Sequence, residues 1–394
     1  MASCLEGLKV VEIGNILAGP WAGTLMADFG AEVIKIEPPK GGDLMRGMGR
    51  IKDLWFQVEG RNKKTVSIDL KNPKGKELVW KLLEDADVLV ENFRPGVFEK
   101  LGFSWEKIHA HNPRLVYCSS SGYGLTGPYS HKPGFDRMGL AQGGFLHVSG
   151  EADGPPIKPG VSVADFMTAQ FATIGIMFAI YNRDVVGTGV GRRVDCSLTE
   201  TTLRMQESII AEYSYDGSVR KRIGNGTFVT IPSGHFLTKD GEYLALSVAG
   251  DAIFAAFAKG IGRSDLLESP DYATAAGRNK RRDEINQIAE EWIKNHTIQE
   301  CLDALGDEVP NCKIYTVEDI MKDPHFKARN AIIKVPTKKF GEIAMQNVTP
   351  IISGVPGEVK WAGPEIGEYN EDVFCNKLGL SKDELAELKA QGAI

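Results

Sequence analysis

The chain has 394 residues, and its 46 basic against 52 acidic side chains give a formal net charge of −6. That balance argues against a general nucleic-acid binder, which needs a basic face to displace phosphate counterions. With 42% apolar and 25% charged residues, the composition is that of a soluble globular protein long enough to divide into two or three domains and to bury a core without disulfides.

The first 125 residues alternate strand and helix signals. Residues 8–13 predict a β-branched strand, followed by the turn Gly14-Asn15-Ile16-Leu17-Ala18-Gly19-Pro20 and a helix over 21–29 that stops at Gly30. Further strands are expected over 32–37, 67–70, 88–90 and 115–119. A helix over 74–85 places Leu78, Val79, Leu82 and Leu83 on one face. Strands separated by such helices imply parallel βαβ units and a doubly wound α/β sheet. Residues 165–181 predict a helix apolar on all sides, slightly short of a bilayer span and read as a core helix rather than a membrane segment. A strand over 193–196 and one long helix over 198–213 follow.

Beyond Gly224 the pattern changes. Strands over 235–238 and 242–248 flank Lys239-Asp240-Gly241, a hairpin signal. Helices are expected over 253–261 and 282–296, and Thr297-Ile298-Gln299-Glu300 is a capping box. These segments mark a smaller α+β domain over 225–325, with 1–224 and 326–394 forming the large domain. The tail has strand-like runs at 332–335 and 343–345, and a last helix opened by a capping box at Ser381.

Residues 1–8 carry no basic-then-apolar leader. Cys4, Cys118, Cys196, Cys301, Cys312 and Cys375 form no CxxC pair and no zinc spacing, which suits a reduced, cytoplasmic protein without a metal site. The turn at 14–20 follows a strand and opens a helix, so its N–H groups are placed to hold an anion, or it is an ordinary tight turn; it lacks GxGxxG and Walker spacing. Asp165 at the start of the apolar helix reads either as a helix cap or as a carboxylate nucleophile with helix N–H groups nearby. Asn92-Phe93-Arg94-Pro95-Gly96 ends a strand, where open α/β sheets bind ligands, and Arg94, Lys100 and Lys71 either charge that edge or are simply solvated. No HExxH, GxSxG or nucleophile–histidine pattern occurs, which argues against zinc and serine hydrolases.

In order along the chain come Ala18-Gly19-Pro20, Gly30-Ala31-Glu32-Val33-Ile34-Lys35-Ile36-Glu37, Gly42-Asp43, Asn62-Lys63-Lys64, Ile68-Asp69-Leu70-Lys71 and Asp87-Val88-Leu89-Val90-Glu91 running into Asn92-Phe93-Arg94-Pro95-Gly96. Gly122-Tyr123-Gly124, Gly127-Pro128-Tyr129, Pro133-Gly134-Phe135-Asp136, Asp165 and Arg222-Ile223-Gly224-Asn225 complete the series. Together they resemble the class III CoA-transferases, the family of formyl-CoA and carnitine CoA-transferases, over nearly the whole chain. The resemblance implies a Rossmann-like large domain with a parallel sheet, made from both chain ends, an inserted small domain, and an interlocked homodimer. It implies a reaction that moves CoA from an acyl-CoA to a free carboxylic acid through an anhydride and a thioester on Asp165, with coenzyme A as co-substrate and no metal. CoA contacts fall by resemblance on Ala18, Lys71, Asn92, Phe93, Arg94 and Lys100; Leu17, Phe135 and Asp136 fall near the acyl group.

Departures from the family pattern bear on the substrate. Leu17 replaces the glutamine of formyl-CoA enzymes, Pro38 replaces an arginine that helps hold CoA, Ala169 replaces a frequent glycine, and the small-domain tetraglycine is absent. Met205, Tyr213 and the 226–231 loop are further candidates for the acyl pocket. A carnitine-like, branched or aromatic carboxylate fits these changes, and a succinyl-CoA donor acting on a dicarboxylate or aromatic acid stays open. The competing readings are an acyl-CoA racemase, which needs a base where Phe135 stands, and a CoA-binding protein without catalysis.

Overall fold

The computed structural model describes residues 3–227 and 229–394; Met1 and Ala2 of the N-terminal segment and Phe228 of the 226–231 loop lie outside the described residues. The chain forms two compact units. The first takes the residues up to Phe145, Lys158–Ser218 and Phe326–Ile394; the second takes Leu146–Ile157 and Val219–His325. The bounds of this division differ from those read from sequence in two places: the second unit begins at 219, against 225, and it includes 146–157. Arg222 explains the second point, since its guanidinium donates to the carbonyls of His147, Glu151 and Gly154 and so ties that excursion to the second unit.

The first unit is built on six parallel strands: β1 (Lys9–Ile13), β2 (Glu32–Glu37), β3 (Lys64–Ser67), β4 (Val88–Glu91), β5 (Val116–Ser121) and β6 (Arg193–Ser197), in the order β3-β2-β1-β4-β5-β6. Runs such as Val88-Leu89-Val90 are buried on both faces, as parallel strands covered by helices must be. Helices α1 (Pro20–Asp28), α2 (Leu54–Glu59), α3 (Pro73–Glu84), α4 (Val97–Lys100), α5 (Trp105–His111), α6 (Asp136–Gln142), α7 (Val163–Asp184), α8 (Leu198–Arg204) and α9 (Ile209–Asp216) belong to the unit, as do the antiparallel hairpin Ile332–Thr337/Gly341–Gln346 and the last helix Lys382–Ala390. On one face of the sheet Leu78, Leu82, Leu83, Phe98 and Ile108 form a core joined by Val373, Phe374 and Ile394 from the other chain end. On the opposite face Ala22 and Met26 of α1 meet Ala169, Ala172 and Ile176 of α7.

Three expectations shift. The third strand lies at Lys64–Ser67, ahead of the expected 67–70, because Lys63 and Lys64 spend their charges on carboxylates instead of marking a loop. The helix expected over 198–213 is two helices, α8 and α9, broken where Glu207 adopts a left-handed φ of +46°. Helix α7 is not a core helix on all sides. The mostly small residues Ala164, Thr168, Ala169, Ala172 and Ala179, with Ile176, bury one face, while Phe178 is 71% exposed and Ile174 and Tyr181 are also exposed. By length and mean hydropathy of 1.6 this helix could cross a membrane, but its small-residue face is matched to α1 and the sheet.

In the second unit β7 (Ser233–Leu237), β8 (Tyr243–Ser247) and β9 (Asn311–Lys313) form an antiparallel sheet with Leu237 opposite Tyr243 at the expected hairpin. The helices Gly250–Gly260, Arg282–Ile293 and Ile298–Leu305 pack Phe254, Phe257, Ile285, Ala289, Ile293 and Cys301 behind it. The Thr297 capping box is formed on both sides.

Candidate active site

The strand order changes direction between β1 and β4, which places a crevice beyond their carboxyl ends. The loop after β1 and the loop after β4 both open there. They line a cleft with Asn15, Ile16, Leu17, Ala18, Asn92, Phe93, Arg94 and Pro95. The end of β5 adds Ser120 and Ser121, and Lys132 and Phe135 enter from the segment before α6. That segment approaches β5 backbone to backbone, since a Cβ added to Gly134 would stand 2.5 Å from the Gly122 Cα. Only glycine at both positions allows the contact.

Asp165 lines the same cleft from the first turn of α7. It is not the cap. Its neighbour Asp136 takes that role, accepting the Ala164 N–H at 2.8 Å and pairing with Lys158 at 2.9 Å. Lys158 also donates to the carbonyls of Pro159 and Val161, which fixes the chain entering α7. Among the described residues no donor reaches the Asp165 carboxylate. Burial, reinforced by the Asp136 charge and opposed by Lys158, pushes the Asp165 carboxyl up to about 7. An unbonded, half-buried carboxylate with a raised pKa in a cleft is a candidate functional group.

The residues singled out in the sequence separate into groups. Leu17, Ala18, Asn92, Phe93, Arg94, Phe135 and Asp165 share the cleft, whereas Lys71 and Lys100 are exposed and outside its lining. Asp136 stands behind the lining as the helix cap. Asn92 spends its amide on the protein: Oδ1 accepts the Asn15 N–H at 2.9 Å and Nδ2 donates to the Asn15 carbonyl at 2.8 Å. The Asn15 and Ile16 N–H groups are therefore taken by Asn92 and Asp43, so the anion-holding reading of this turn fails at those two donors. The Leu17 side chain is fully buried against Met45 and Phe56. Met205 and Tyr213 are exposed and outside the cleft lining. Lys132, over the Tyr129 ring at 3.9 Å, was missed; its only signal is its place just before Pro133-Gly134-Phe135. Beneath the cleft Glu91 accepts the Phe93 N–H at 2.7 Å, and its burial pushes it up to about 7.

The family model for CoA-transferase family III matches residues 5–370. The chain belongs to CoA-transferase family III. Among its relatives, the succinyl-CoA–D-citramalate CoA-transferase of Chloroflexus aurantiacus is 42% identical over 99% of this chain and 98% of the relative. The succinyl-CoA–L-malate CoA-transferase alpha subunit of Chloroflexus aurantiacus is 36% identical over 99% of this chain and 92% of that one. A crystal structure of a CAIB/BAIF family protein from Brucella suis superposes with a TM-score of 0.85 at 31% identity, covering 95% of this chain and all of that one. Family III membership fits a cleft lined by one free carboxylate, two cations and no histidine. Among the described residues no group of three His, Cys, Asp or Glu side chains is placed to hold a metal ion.

Proposed function

We propose that this family III CoA-transferase moves CoA from succinyl-CoA to a small hydroxylated dicarboxylic acid, through covalent intermediates on Asp165. The observation that carries the nucleophile is the Asp165 carboxylate, unbonded in a cleft beside Asp136, which does the capping. The relatives' succinyl, citramalate and malate substrates support the substrate class. The Asp165 carboxylate attacks the thioester carbonyl; the C–S bond breaks and CoA leaves as thiolate, giving a mixed anhydride. The thiolate attacks the aspartyl carbonyl and releases the donor carboxylate, leaving an aspartyl-CoA thioester. The acceptor carboxylate displaces the thiolate to form a second anhydride. The thiolate then attacks the acceptor's carbonyl, freeing the new acyl-CoA and the Asp165 carboxylate. Each bond broken is an activated acyl bond, so a carboxylate suffices as nucleophile.

Arg94 and Lys132 supply the positive charge that CoA phosphates and a second substrate carboxylate require. Arg94→Ala and Lys132→Ala should each raise the KM for succinyl-CoA about tenfold, or ~1.4 kcal/mol, with a smaller change in kcat. The effect should shrink as salt rises. An unchanged KM in both would remove these cations from substrate binding.

The functional unit in this proposal is a homodimer, placed in the reducing cytoplasm, acting on small molecules rather than on nucleic acid or a membrane. The outward stripe Ile174, Phe178, Tyr181 and Val185, spaced by helical turns on α7, supports a protein partner. Sedimentation should give twice the chain mass of 43.0 kDa, and Phe178→Asp should shift it toward monomer. A wild-type monomer would contradict the dimer.

A further inference from the structure

The loop after β1 is held by a buried set of paired charges. Lys35 Nζ pairs with Glu12 Oε1 and Asp43 Oδ2, both at 2.7 Å, and donates to the Gly14 carbonyl at 3.1 Å. Lys63 Nζ pairs with the other Glu12 oxygen at 2.7 Å and donates to the Pro20 carbonyl at 2.7 Å. Gly23 leaves room for this, since a Cβ there would stand 2.1 Å from Glu12 Oε2. Asp43 Oδ1 accepts the N–H groups of Ile16 at 2.9 Å and Met45 at 2.8 Å. Glu12, Lys35 and Lys63 are at most 1% exposed and Asp43 is 2% exposed. Two cations and two carboxylates therefore pair inside the core, Glu37 also accepting the Asp43 N–H at 2.7 Å, and four of these contacts end on backbone groups of residues 14–20 or on Asp43, which binds that loop.

The residue held is unusual. Ile16 has a φ of +67°, a region that a β-branched side chain rarely adopts. Nothing in the local sequence favours that conformation, so it persists because the surroundings enforce it. Residues 15–18 form one wall of the cleft that holds Asp165. We infer that Asp43, oriented by Lys35 and Glu12, is a positioning residue that clamps Ile16 in its left-handed conformation and thereby sets the substrate-facing wall opposite the nucleophile. It acts through Ile16 and touches no substrate. The further step, that this wall serves acyl transfer, rests on the proposed function.

The test compares Asp43→Ala, Asp43→Asn and the double variant Asp43→Ala/Ile16→Gly for thermal stability, for CoA affinity by calorimetry, and for transfer from succinyl-CoA to D-citramalate and L-malate. Asp43→Ala should lower kcat and weaken CoA binding, each about tenfold. Asp43→Asn, which keeps an acceptor for Ile16, should lose less. The double variant should recover most of both losses without recovering stability, because glycine holds a left-handed φ unaided. A purely structural role would show a melting-temperature loss that Ile16→Gly does not uncouple from activity. If Asp43→Ala does not fold, the Asn variant decides by the same two readouts. Values within twofold of wild type in folded Asp43→Ala, or no recovery in the double variant, would overturn the inference. A wild-type protein that binds CoA but transfers nothing would defeat the proposed reaction, while the CoA affinities would still judge the clamp.

Discussion

Replacing Asp165 by asparagine should reduce transfer by roughly three orders of magnitude or more, as removal of a covalent nucleophile does. CoA affinity should stay within a few-fold of wild type, because Asp165 enters the cleft from α7, whereas the cation Arg94 and the Ala18 loop come from other elements. The side chain is not a cap, so the substitution removes no protein hydrogen bond, and the variant should fold normally. A variant retaining more than a tenth of wild-type kcat would place the nucleophile elsewhere.

The second large effect is in pH. With its carboxyl near 7, Asp165 is largely protonated in the free protein at pH 6 and largely ionised at pH 8. Only the carboxylate attacks, so kcat/KM should fall on the acid side with an inflection near 7. Burial is the main cause and Asp136 the second, so Asp136→Asn should move the inflection downward. Stability carries the opposite sign. The folded carboxyl binds its proton more tightly than the unfolded one, whose ordinary value is 3.8. The folded state therefore loses stability as pH rises from about 4 to about 7, and the cost is complete above that window. Asp165→Asn should accordingly melt higher than wild type at pH 8 and show little advantage at pH 4. A flat kcat/KM between pH 6 and 8, with the chemical step shown to limit it, would contradict the raised carboxyl.

The parallel sheet could be read from sequence because runs such as Val88-Leu89-Val90 and Val33-Ile34 alternate with helices that carry one apolar face. What could not be read follows from charges and surfaces. Lys35, Lys63, Glu12 and Asp43 look like surface residues by type, yet they sit paired in the core, where hydropathy is blind to them. The apolar-all-round pattern of 165–181 implied full burial; instead, half of α7 faces outward with Phe178 and Tyr181. The break between α8 and α9 at Met205-Gln206-Glu207-Ser208 has no glycine or proline to announce it.

The site divides in the same way. Arg94 and Phe93 follow a strand end, so the topology alone brings them to the crevice. In sequence Asp165 reads as either cap or nucleophile; the structure gives the Ala164 N–H to Asp136, and the nucleophile's role rests on the proposed reaction. Lys71 and Lys100 were carried by motif resemblance, and their exposed side chains lie outside the cleft lining. Asn92 lines the cleft at that same strand end, with its amide bonded to Asn15.

The most direct test of the covalent account is to incubate the protein with succinyl-CoA, quench with hydroxylamine, and read the peptide containing Asp165 by mass spectrometry. Hydroxylamine converts either an aspartyl anhydride or an aspartyl thioester to a hydroxamate, a gain of about 15 Da. The account predicts that gain on Asp165 in wild type and its absence in Asp165→Asn. Turnover of succinyl-CoA with an acceptor acid, but with no hydroxamate on Asp165, would contradict it.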